Sequence, residues 1–143
     1  MIKLMELIAG KFALKETLEI LEGMFKHYGV KPKVRWNSRT DRFANYEVEK
    51  NTMYVSKKLN KDAKEFLHTI LHEIKHAIDA KKYGKTKFIL AYEKEQNMIA
   101  QGFKKGKHDP YSDNKFEETA EKFAKREIGR WKRALTKSKQ MRF

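Results

Sequence analysis

The chain has 143 residues, 40% of them hydrophobic, which is material for one modest core and a single domain over 1–143. With no cysteine, disulfides, thiolate metal sites and cysteine nucleophiles are excluded together, so a bound metal must be held by imidazole and carboxylate. The 33 basic against 19 acidic residues leave a formal charge of +14, which suits a nucleic-acid partner, an acidic substrate or a lysine-rich cell alike.

Met1 to Ile8 is apolar but broken by Lys3 and Glu6, without the uninterrupted core or small-residue cleavage site of a signal peptide. No stretch approaches the roughly 20 apolar residues that span a bilayer. A cytoplasmic protein with no membrane role is the expectation. Leu14, Leu18, Leu21, Phe25 and Tyr28 recur at helical spacing until Gly29 and Pro32 stop them, predicting an N-terminal helix. Val34 and Trp36, then Ala44, Tyr46 and Val48, then Met53 and Val55 alternate with polar neighbours and predict three short antiparallel strands.

Asn60 can cap a helix whose apolar stripe is Ala63, Leu67, Ile70, Leu71, Ile74 and Ile78, ending at Tyr83 and Gly84. Another helix opens at Thr86 and runs through Phe88, Ile89, Tyr92 and Ile99 into the stretch Gly102 to Gly106. A polar loop from His108 to Asn114 precedes a last helix, from about Lys115 to Leu135, with Phe116, Ala120, Phe123, Ala124, Ile128 and Trp131 inward. The basic tail, about 135–143, is expected to fray. The fold class is therefore α+β: an N-terminal helix, a small three-stranded antiparallel sheet, and the later helices.

Residues 72–76 read HEIKH. On a helix His72 and His76 lie four residues apart on one face, close enough to share a metal. Glu73, rotated about 100° from His72, stands beside that metal without binding it, where a carboxylate can take a proton from metal-activated water. A catalytic site needs a third protein ligand. On the last helix, Ala124 and Ile128 lie within about 20° of Glu117, so its carboxylate points along the inward face, where it needs a partner. Small Ala120 and Ala124 would let that helix approach His72 and His76. Glu121, about 40° away, is the reserve ligand.

Residues 117–124, EETAEKFA, together with HEIKH resemble the gluzincin metallopeptidases, and within them the E-x-x-A-x-x-F-A pattern of the ImmA/IrrE-type peptidases. The resemblance covers roughly Thr52 to Ala124. It departs at Glu121, where that family usually has Asn, and in the longer gap between the motifs. It implies a zincin-like domain, Zn2+ held by His72, His76 and Glu117, and a protein or peptide substrate cleaved by Glu73-activated water. By the same resemblance, the strand near Met53 to Ser56 would bind extended peptide by edge pairing, and Tyr111 and His108 are the candidates to steady the oxyanion.

Against these stand blander expectations. His27 and His68 are read as ordinary surface or core histidines, and Asp79 as either a support for an imidazole or a solvated helix-end carboxylate. Trp36 and Trp131 fall on apolar stripes and read as core. The run from Lys125 to Arg142 reads as a solvated face, although the basic surface also admits a second function class, a nucleic-acid-associated binding module with a structural zinc.

Overall fold

The alternating residues between Val34 and Val55 do form three short strands in the computed structural model, which describes residues 11–57, 63–101 and 114–143. In chain order the elements are α1 (Lys11–Tyr28), β1 (Lys33–Asn37), β2 (Ala44–Glu47), β3 (Thr52–Ser56), α2 (Ala63–Tyr83), α3 (Lys85–Ala100) and α4 (Lys115–Lys137). The class is α+β, as expected. The expected cap at Asn60 and the loop carrying His108 and Tyr111 lie outside the described residues.

The sheet corrects the expectation of three antiparallel strands, because it is mixed, in the order β1-β3-β2. β2 pairs antiparallel with β3, Tyr46 opposite Met53, through a tight turn in which Asn51 takes a left-handed φ of 46°. β1 runs parallel to β3, Val34 opposite Met53. The end of β3 is gripped from both sides: Ser56 N–H donates to the Phe43 carbonyl at 2.8 Å and Lys57 N–H to that of Asn37 at 3.0 Å. β3 is thus the central strand and cannot offer an edge to a peptide, contrary to the expectation for Met53 to Ser56. Hydrophobicity explains this position, since Met53 and Val55 have no exposed surface and the most apolar strand takes the doubly covered place.

Behind the sheet, the stripe of α2 buries Phe66, Leu67, Ile70, Leu71 and Ile74 against β2 and, chiefly, α4. Fully buried Ala120 and Ala124 provide the close approach of α4. Gly84, with φ 88°, breaks the chain between α2 and α3, a conformation that only glycine adopts without strain. Trp36 and Trp131 are half-buried against the core, as expected. The tail does not fray: Met141 is fully buried beside Leu135, whose carbonyl accepts from Gln140 and Met141 N–H. Its two buried apolar residues outweigh its basic composition. Among the described residues no helix is long and apolar enough to cross a membrane.

Candidate metal centre

α2 and α4 cross with opposite sense along the chain, so histidines at every fourth position of one meet glutamates at every fourth position of the other. His76 Nε2 lies 3.0 Å from Glu117 Oε1, and His72 Nε2 lies 2.7 Å from the same oxygen. One turn further along, His68 Nε2 contacts Glu121 Oε1, which also stands 3.5 Å from His72 Nδ1. His72 is therefore held at both ring nitrogens, by Glu117 on one side and by Glu121 on the other.

His72, His76 and Glu117 each offer a donor atom, all within 4.8 Å of one another, close enough to hold a metal ion. Glu121 is no ligand in this arrangement; it backs the imidazole of His72, the position from which a carboxylate fixes a ligand's orientation and tautomer. His68, read from the sequence as an ordinary histidine, anchors Glu121. Asp79 is buried but ion-paired with Lys75 at 2.8 Å, and so does not orient an imidazole. His76 Nδ1 is buried with no partner among the described residues.

The donor set passes a simple test of fit. Two neutral imidazoles and one carboxylate suit zinc, and also iron, cobalt or manganese. At a tetrahedral zinc, ligand atoms about 2.0–2.1 Å from the ion stand about 3.3 Å from one another, so the present hydrogen-bond separations would open by only about half an ångström. Both imidazoles aim Nε2 at Glu117 Oε1, and a cation held among these three atoms would take the place of the bridging protons.

The electrostatics favour a cation there. Burial pushes the Glu117 carboxyl up, but hydrogen bonds from His72 and His76, reinforced by His76's charge and by Tyr92, hold it well below the usual carboxylate range. For His72 burial works against protonation, yet its hydrogen bond to Glu117 and the charges of Glu73, Glu117 and Glu121 leave its pKa raised. Glu73, Glu117 and Glu121 thus set three carboxyl groups around the His72 imidazole.

Glu73 lies next to this cluster and outside it. Its Oε2 accepts the Tyr46 N–H of β2 at 3.0 Å, which turns the carboxylate toward the sheet. Burial raises its pKa, moderated by His76 and His72. With Arg42, Tyr46, His76, Tyr92 and Glu117 it lines a cleft of about 290 Å³. A second groove, on the far side of His72, shares Arg42 and Glu73 with the first. Both lie beside β2, the first against Asn45 and Tyr46 and the second against Ala44.

Tyr92 of α3 was visible in the sequence only as part of an apolar stripe. Its hydroxyl donates to Glu117 Oε2 at 2.6 Å, so Glu117 presents Oε1 to the histidines and Oε2 to the phenol. Asn114, which caps α4 by accepting from Phe116 N–H at 2.9 Å, also donates to the Tyr92 carbonyl at 3.2 Å and ties α3 to the start of α4. The available signal was chemical: a tyrosine on a buried stripe needs a partner for its hydroxyl, and an inward carboxylate is one.

The comparisons with known proteins add no relative: no family model, no curated protein and no solved structure matches the chain significantly.

Proposed function

We propose that the chain is a zinc-dependent metallopeptidase with a zincin-like fold, acting on a cytoplasmic protein or peptide. The observation that carries this reading is the convergence of His72 Nε2 and His76 Nε2 on Glu117 Oε1, with an unligated carboxylate, Glu73, buried alongside. A purely structural site has no need of that fourth group, whose burial as an acid is costly. The absence of cysteine suits a reducing compartment.

Bound zinc would supply a Lewis acid and a water of lowered pKa. Glu73 does the proton work: Tyr46 fixes Oε2, leaving Oε1 to take a proton from the attacking water and return it to the leaving amine. Burial raises its pKa above that of an ordinary carboxyl, which strengthens it as a base. β2 is the outer strand on this side, so an extended substrate would pair along the part of its edge that the Tyr46–Glu73 hydrogen bond leaves open, with Arg42 at the junction of the two grooves.

Tyr92 keeps Glu117 in its one-oxygen posture. The variant Tyr92→Phe is expected to fold normally and to bind zinc about 10–100-fold more weakly, as read by chelator competition. Unchanged affinity would mean that the phenol only packs.

Metal analysis and peptide cleavage test the whole reading. The purified protein should carry near-stoichiometric zinc and cut an unstructured polypeptide, a chelator should stop cleavage, and added zinc should restore it. A protein that takes up no metal on dialysis against zinc overturns the proposal.

A further inference from the structure

The exposed side of α4 beyond the metal ligands has a charge distribution that the proposed hydrolysis does not use. Residues 122–142 hold nine lysines and arginines and one carboxylate, Glu127. That carboxylate is occupied, accepting the Tyr28 hydroxyl at 2.8 Å with Arg126 nearby. At 100° per residue, Lys122, Lys125, Arg126, Arg130, Lys132, Arg133 and Lys137 all fall within an arc of about 160°, which α4 shares with one acidic residue, Glu118, a turn before Lys122. The row extends about 22 Å along the helix. Six of the seven are exposed and Lys132 is half-exposed.

We infer that this face of α4 binds the phosphate backbone of duplex nucleic acid. A row of seven cations with only Glu118 and Glu127 beside it is unfavourable by itself, since like charges at three- and four-residue spacing repel. A polyanion relieves that repulsion and releases its own condensed counterions. Arg126, Arg130 and Arg133 add planar donors that match phosphate oxygens in pairs.

Other polyanions fit less well. Anchoring in a membrane calls for an exposed apolar side, but α4 buries Phe123, Ala124 and Leu135 in the core, and Trp131 donates to Tyr28 at 2.7 Å on α1. Single strands are gripped by stacking on a series of aromatic rings, and this face offers one, Phe143, whose ring lies under the Lys132 ammonium. A second copy of a chain charged +14 would be repelled.

The test is anisotropy of a labelled mixed-sequence duplex of about 20 base pairs, titrated with the full chain from about 50 to about 200 mM salt. Binding at about 10⁻⁶–10⁻⁴ M with steep salt dependence is expected. The variant Lys125→Gln/Arg126→Gln/Arg130→Gln/Arg133→Gln should weaken it by about tenfold or more and flatten the slope by about 0.9 per lost contact. Circular dichroism and zinc content, both unchanged, would show that the variant is folded. A control with Lys31, Lys33 and Arg35 replaced by Gln should bind as the parent does. Equal loss in the two variants overturns the inference, as does stronger binding to phosphatidylserine vesicles than to duplex. Because the duplex assay needs no hydrolysis, the peptidase reading can fail without it.

Discussion

Glu73→Gln is expected to lower peptide hydrolysis by about 10²–10⁴-fold while leaving bound metal unchanged. Glu73 is outside the three-donor cluster, so its replacement removes no ligand. Glutamine keeps an oxygen for the Tyr46 N–H and loses only the ability to move a proton. A second consequence concerns stability. Burial holds the Glu73 pKa in the folded protein above its unfolded value, which favours the neutral form. Stability from such a group is fully present below the unfolded pKa, about 4.3, and is lost as pH rises through the folded value. At neutral pH the buried carboxyl therefore costs stability that glutamine does not. Metal-stripped Glu73→Gln should melt above metal-stripped wild type at pH 7, and the gap should close in acid. Turnover and thermal melts on the same preparations check both. A variant that hydrolyses peptide at the wild-type rate would leave zinc a structural role and make the cationic face of α4 the main functional surface.

The helices were legible because their signals are local. The four-residue spacing of His72 and His76 needs only the helical pitch, and the inward placement of Glu117 follows from the phase of Ala124 and Ile128 on the same wheel. The sheet was legible only in part. Alternation marks each strand and its buried face, but neighbours are set by how 38–43 routes the chain, so the parallel pairing of β1 with β3 was not written in any one segment. The same distinction runs through the site. Glu121 and His68 acquire their roles from the antiparallel register of α2 and α4, which sets residue 68 opposite 121 and residue 76 opposite 117. Tyr92 and the Tyr46 N–H come from two further elements that meet the cluster only in three dimensions. Leu135 and Met141 mislead differently: two apolar residues in a basic stretch are too few for a pattern, yet enough to pin the tail.

Glu117→Ala should abolish stoichiometric zinc binding and destabilise the metal-free protein as well. In the metal-free fold Glu117 Oε1 is the common acceptor for two imidazoles, and alanine strands both Nε2 groups in a buried place. An unsatisfied buried polar group costs about 1–3 kcal/mol, which sets the expected loss before any metal is added. Its depressed pKa fixes the pH dependence. A carboxylate held below its unfolded value contributes stability above the unfolded pKa, and the contribution disappears as pH falls through the folded one. Wild type should therefore lose its advantage over Glu117→Ala in acid, the reverse of the trend that sets Glu73→Gln above wild type. Zinc adds a second separation, because a ligand that binds only the folded state raises stability by RT ln(1 + [L]/Kd), and a variant without the third donor forgoes that gain. Thermal melts with and without zinc should show a metal-induced rise in wild type and none in Glu117→Ala. Glu121→Ala, which removes the support behind His72 and the partner of His68 but no ligand, should keep the rise with zinc affinity about 10–100-fold weaker. The opposite pattern, metal retained in Glu117→Ala and lost in Glu121→Ala, would transfer the third ligand to Glu121 and require His72 to bind through Nδ1.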